Sequence, residues 1–115
     1  MFPIIPANSI VEEAGNDEGI FAYGSAPTLD WQNISNKISN VGVVSSDTSG
    51  VGTARGFLDA CEYGGDKGIF GFGLTASAST SVSNLVSNVG VVATDTSGVG
   101  TARAQLGAAG YSTSA

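Results

Sequence analysis

The chain has no histidine, one cysteine, three prolines and four cationic side chains in 115 residues. Without histidine, Ser-His-Asp-type triads and most zinc and copper centres are excluded. The single cysteine, Cys61, excludes an intrachain disulfide framework. Its neighbourhood, Asp59-Ala60-Cys61-Glu62, is acidic and disfavours a reactive thiolate, so Cys61 reads as a small buried apolar residue. The cations Lys37, Arg55, Lys67 and Arg103 are scattered through a chain of net charge −6. Nucleic acid and anionic membrane surfaces are poor partners for such a chain, because both need clustered Lys and Arg. No apolar run is long enough to cross a bilayer. The start, Met1-Phe2-Pro3-Ile4-Ile5-Pro6, is apolar but short, broken by proline and without a basic flank, which is not the pattern of a signal peptide.

Aromatic residues make up only 8% of the chain, whereas glycine occurs 17 times among many Ser, Thr, Ala and Val. Packing by small side chains at close backbone approach is the composition of repeated β structure rather than of a helical bundle. The repeat is visible directly. Residues 38–55 read ISNVGVVSSDTSGVGTAR and residues 86–103 read VSNVGVVATDTSGVGTAR; three of eighteen positions differ, at Ile38/Val86, Ser45/Ala93 and Ser46/Thr94. The offset of 48 extends more loosely to Leu58/Leu106, Ala60/Ala108 and Tyr63/Tyr111. A second block, Asp17-Glu18-Gly19-Ile20-Phe21-Ala22-Tyr23-Gly24, returns at an offset of 49 as Asp66-Lys67-Gly68-Ile69-Phe70-Gly71-Phe72-Gly73. The one-residue indel lies between Ser25–Lys37 and Leu74–Leu85 and marks a loop. The division that follows is an N-terminal arm (1–16), a first unit (17–65) and a second unit (66–115).

Within each unit the Gly-Ile-Phe block predicts a short strand ended by glycine. Asn36–Ser46, with Gly42 inside, predicts two short strands meeting at a turn or bulge. Asp47-Thr48-Ser49-Gly50 predicts a turn, since Asp bonds its own backbone and Gly accepts positive φ. Thr53–Tyr63 fits a short helix by propensity and a strand by alternation. About four short strands per unit of 40–50 residues is the pattern of a propeller blade. The expected fold class is therefore all-β, two propeller blades, with a β-solenoid as the alternative.

The stretch Arg55-x-x-Leu58-x-Ala60-x-x-Tyr63-Gly64-Gly65-Asp66-Lys67-Gly68-Ile69-Phe70-Gly71-Phe72-Gly73 resembles a kelch-type repeat. Val-Ser-Asn-Val-Gly-Val-Val-x-x-Asp-Thr-Ser-Gly-Val-Gly-Thr-Ala-Arg resembles repeats in virion structural proteins of marine tailed phages. The resemblance implies a non-enzymatic structural protein of a virion, a decoration or appendage component. Two blades do not close a propeller. The first unit lacks an Arg-x-x-Leu strand before it, and Arg103–Tyr111 lacks a Gly-Ile-Phe strand after it. The expectation is that strand 103–111 completes the first blade of a neighbour, head to tail, in a homo-oligomeric ring in which three chains supply about six blades. Other virion proteins are further expected partners. The alternative function is a carbohydrate-binding module or adhesin, with a glycan held in loops 25–35 and 74–83.

The candidate site residues are structural. Arg55 and Arg103 close the repeated motif and are expected to tie adjacent blades through a fork of bonds to Asp or to backbone carbonyls. Asp47 and Asp95 stand as turn formers rather than as a glycosidase pair. Phe2, Ile4 and Ile5 in the arm, and Trp31 in a loop of one unit only, are candidate partner contacts. Glu12, Glu13, Asn16, Asp17 and Glu18 match no cation-binding loop. Gly-Val-Gly at 50–52 and 98–100 is followed by no lysine and is not a phosphate loop. No catalytic residue, cofactor or metal is expected.

Overall fold

The computed structural model describes residues 16–28 and 30–112. Among them lie seven strands and no helix: β1 (Gly19–Ala22), β2 (Ser25–Ala26), β3 (Asp30–Trp31), β4 (Ser35–Ile38), β5 (Asp59–Tyr63), β6 (Lys67–Gly71) and β7 (Ser83–Val86). They form three small antiparallel sheets, β1-β4, β2-β3 and β5-β6-β7. The chain is all-β.

The two Gly-Ile-Phe blocks form β1 and β6, and both pair on one side with the Ser-Asn strand that follows. Phe21 faces Asn36 in the first unit and Phe70 faces Asn84 in the second. A further segment then runs back along that strand through isolated bridges, Ile38 to Val44 and Ser35 to Thr48, repeated as Val86 to Val92 and Ser83 to Thr96. The turn between them is the same in both copies. Ser39 Oγ accepts from the Val41 and Val43 amides, Ser87 Oγ accepts from Val89 and Val91, and the amides of Gly42 and Gly90 donate back to the carbonyls of Ser39 and Ser87.

The other side of the Gly-Ile-Phe strand differs between units. In the second, β6 also pairs with β5, which comes from the end of the first unit; Asp59 faces Gly71, Cys61 faces Ile69 and Tyr63 faces Lys67. The second unit is thus a meander of four antiparallel segments whose first is lent by the unit before it, so the sequence boundary at 65/66 falls in a hairpin. In the first unit no described strand pairs with the corresponding edge of β1. The segment equivalent to β5, residues 107–111, belongs to no strand and is exposed.

One open reading is resolved in part as a strand, and one expectation is revised. Thr53–Tyr63 holds no helix: Thr53–Leu58 is irregular, with one isolated bridge at Gly56, and Asp59–Tyr63 is β5. Asp47–Gly50 is no turn but runs along β4, with Thr48 exchanging backbone bonds with Ser35. The reversal lies earlier, at Ser39–Gly42, because the Asp47 carboxylate accepts a bond from Asn36 Nδ2 at 2.8 Å instead of bonding its own backbone. Gly50 is needed for space: a Cβ there would overlap the Asn33 side chain.

Little of the interior is apolar. Among the described residues Phe70 and Val86 are the buried hydrophobics, whereas Ser35, Arg55 and Asn84 are buried polar side chains. Arg55 and Asn84 are fully enclosed, and both lie where the two units meet.

Candidate functional site

The joint between the units is built around Arg55. Its Nη1 donates to the Thr53 carbonyl at 2.9 Å, within the first unit. Its Nε donates to the Phe72 carbonyl at 2.7 Å and its Nη2 to Asn84 Oδ1 at 2.7 Å, both in the second. The guanidinium carbon lies 4.5 Å from the centre of the Tyr23 ring. That ring meets Phe70 edge-on at 5.4 Å, and its hydroxyl donates to the Val51 carbonyl. Burial pushes the Tyr23 hydroxyl upward in pKa, and the charge of Arg55 and its bond to the phenol offset only part of that rise. A fully enclosed guanidinium is costly unless its donors are satisfied; a planar fork meeting two carbonyls and an amide oxygen satisfies them without a direct ion pair.

Asn84 carries the polarity onward. Its Nδ2 donates to Asp95 Oδ1 at 2.9 Å and to the Ala93 carbonyl at 3.1 Å. An amide suits this position because it accepts from the cation on one side and donates to the anion on the other. Asp95 then reaches back into the first unit, where Thr53 Oγ1 donates to Oδ2 at 2.6 Å and the Thr53 amide to Oδ1 at 3.1 Å. Burial raises the Asp95 pKa, but the bonds from Thr53 and Asn84 and the field of Arg55 outweigh it, and the carboxyl lies below its ordinary value. Gly52 makes the close approach possible: its φ is +83°, and a Cβ there would stand 2.5 Å from Asn84 Nδ2 and 2.6 Å from Asp95 Oδ1. Paired backbone bonds between Gly56 and Leu74, at 3.0 and 2.7 Å, and a bond from Lys37 Nζ to the Val89 carbonyl at 3.2 Å complete the joint.

Five residues of this joint, Gly52, Thr53, Arg55, Asn84 and Asp95, have identical counterparts outside it. Arg103 repeats Arg55. Its Nη1 donates to the Thr101 carbonyl at 3.1 Å and its guanidinium carbon stands 4.4 Å from the centre of the Phe72 ring, yet it is exposed, and its Nε and Nη2 meet no acceptor among the described residues. Asn36 and Asp47 repeat Asn84 and Asp95. Asn36 Nδ2 donates to Asp47 Oδ1 and to the Ser45 carbonyl at 3.2 Å, but no described cation reaches Asn36 Oδ1. Gly100 repeats Gly52, with φ +92° and open space where a Cβ would be.

Arg55 thus bonds two carbonyls and an asparagine across the two units, and no aspartate directly. Sequence reasoning missed Asn84, Asn36 and Thr53. Their only signal was exact repetition of Ser-Asn and Gly-Thr-Ala-Arg, which says that a residue matters but not what it touches. Trp31 packs its ring on Phe57 at 6.0 Å and over Gly56, half-buried. Of the proposed glycan loops, the first folds as the β2-β3 hairpin and the second is closed by a bridge between Leu74 and Ser79. Phe2, Ile4 and Ile5 lie outside the described residues. Cys61 is half-buried in β5. Among the described residues no group of His, Cys, Asp and Glu is placed to hold a metal ion, and no helix is long and apolar enough to cross a membrane. No family model, curated protein or solved structure matches the chain.

Proposed function

We propose that the chain is a non-enzymatic structural protein that assembles from copies of itself, head to tail, through its β-repeat units. The observation that carries this reading is the contrast between Phe21 and Phe70. They hold the same position in the repeat, yet Phe70 is 8% exposed and Phe21 is 60% exposed. Phe70 lies in a strand paired on both sides, with Tyr23 against its ring; Phe21 lies in a strand that, among the described residues, is paired on one side only. An open strand edge carrying an apolar side chain is a template for another strand, and the pairing of β5 with β6 supports residues 107–111 of another copy as that strand.

The antiparallel four-segment meander of the second unit supports the blade reading over the solenoid, and a repeated head-to-tail contact closes a ring when its rotation permits. A virion decoration or appendage component is the role we propose for such an assembly, and the sequence resemblance to phage repeats supports it. Native mass spectrometry of the full chain tests the assembly: a discrete oligomer of identical chains is expected, about 34 kDa for a trimer of 11.4 kDa chains. A folded monomer at about 100 μM, well above the micromolar range of specific association, contradicts it. Quantitative proteomics of purified particles of a phage encoding the chain tests the location: multiple copies per particle are expected, and absence from the particle contradicts it.

A further inference from the structure

Resting on the head-to-tail reading above, we infer that the contact between copies is a polar lock in which Arg103 and Thr101 of one chain engage Asn36 and Asp47 of the next. The internal joint is its template. Arg55 presents three donor groups: Nη1 is held in its own unit, whereas Nε and Nη2 cross to the Phe72 carbonyl and Asn84 Oδ1. Arg103 has the first of these bonds in place and its ring stacking in place, and among the described residues lacks the two that cross. The counterparts of the missing acceptors are the Tyr23 carbonyl and Asn36 Oδ1. The latter is held in orientation by the same pair of Nδ2 bonds that orient Asn84.

Charge and space agree with that seating. A cation with two idle donor groups faces, in the proposed partner, an amide oxygen backed by the Asp47 carboxylate, just as Asp95 backs Asn84. Thr101 stands where Thr53 stands, and Asp47 takes its amide and hydroxyl as Asp95 takes those of Thr53. The opening beside Gly100 is where the incoming Asn36 and Asp47 come to lie, since the equivalent space at Gly52 is filled by Asn84 and Asp95. The lock is heterologous: its two halves lie on different surfaces of one chain, so each copy offers one of each. Strand completion supplies area and backbone bonds, and the lock supplies register and partner choice, because a shifted copy would bury the Arg103 charge without its acceptors.

The test uses two full-length variants, Arg103→Ala and Asn36→Ala, each blocking one end, studied by sedimentation velocity at a concentration where the wild type is assembled. Each variant alone is expected to sediment as a monomer, with association weakened about 100-fold or more for the loss of charge-assisted bonds at a desolvated contact. Their equimolar mixture is expected to form a dimer and stop there, because it contains one intact lock. Circular dichroism confirms that both variants fold; if Asn36→Ala does not, Asp47→Ala blocks the same end from an exposed position. Wild-type-like oligomers in both variants overturn the lock while leaving strand completion standing. Monomeric variants whose mixture stays monomeric overturn the head-to-tail pairing of these residues. A monomeric wild type overturns the assembly reading beneath both.

Discussion

Arg55 and Asn84, 29 positions apart, share a hydrogen bond of 2.7 Å between two side chains that are both fully enclosed. The bond crosses from one repeat unit to the next. A domain with so few buried apolar side chains cannot rely on hydrophobic burial alone to fix how its halves meet. A satisfied polar network can do so, because any shift of the halves leaves a guanidinium without acceptors.

The two arginines of the motif are expected to respond differently to one substitution. In dilute, monomeric protein Arg55→Lys costs about 2–3 kcal/mol, because a lysine ammonium cannot reproduce the fork and leaves buried acceptors unpaired. Arg103→Lys in the same protein costs less than about 0.5 kcal/mol, as for most exposed positions. Urea denaturation of the two variants measures the difference; equal costs would show that the enclosed network is not what holds the units together.

The two phenylalanines give a second contrast. Phe70→Ala removes a buried ring and is expected to cost about 3–4 kcal/mol. Phe21→Ala at the equivalent, exposed position is expected to cost under about 1 kcal/mol in the monomer. The same Phe21→Ala change is expected to weaken oligomer formation, read by sedimentation. An oligomer unaffected by that change would place the contact elsewhere.

Gly52→Ala and Gly100→Ala separate backbone strain from collision. Both glycines have positive φ, so alanine strains either one by about 1 kcal/mol. Only at Gly52 does the new methyl also strike Asn84 and Asp95. Thermal denaturation of monomeric protein should therefore show Gly52→Ala as the more destabilised of the two, and equal melting temperatures would contradict the close packing at the joint.

Acid should loosen the joint. Although burial raises the Asp95 pKa, its bonds to Thr53 and Asn84 and the Arg55 charge hold it lower than in an unfolded chain. A depressed carboxyl stabilises the fold fully above its unfolded value and loses that contribution as pH falls through its folded value, so the loss begins below about pH 4. Asp66, lowered by bonds from Asn88 and Lys67, acts in the same direction. Asp95→Asn is expected to flatten part of the acid limb in a stability-against-pH series. An unchanged slope would remove Asp95 from the network's energetics.

Much of the β structure was legible because glycine and aromatic residues punctuate it. Gly19-Ile20-Phe21 and Gly68-Ile69-Phe70 read as strands and lie in strands. The reversal near Gly42 was anticipated as a turn or bulge. Thr53–Tyr63 stayed ambiguous because Ala54, Arg55, Leu58 and Ala60 suit a helix, and pairing with β6, a tertiary contact, decides for a strand at Asp59. Asp47-Thr48-Ser49-Gly50 misled because its turn propensity is local, whereas its carboxylate is engaged across the strand by Asn36. The roles of Asn84 and Thr53 were hidden for a related reason: their partners lie in the other unit, and repetition gives the identity of a position without its neighbour.

On the proposed head-to-tail pairing, the facing of Cys61 in β5 and Ile69 in β6 predicts Ala109 of one copy beside Ile20 of the next. Two chains in a Cys61→Ser background, one carrying Ala109→Cys and the other Ile20→Cys, test this directly when mixed and mildly oxidised. Facing residues of antiparallel strands stand within disulfide reach, at about 4.5–5.5 Å between Cα atoms. A covalent heterodimer formed in high yield, and lost when the first cysteine is moved to Gln105, is the predicted result. Absence of the cross-link in protein that is nevertheless oligomeric would show that residues 107–111 do not complete the open edge of β1.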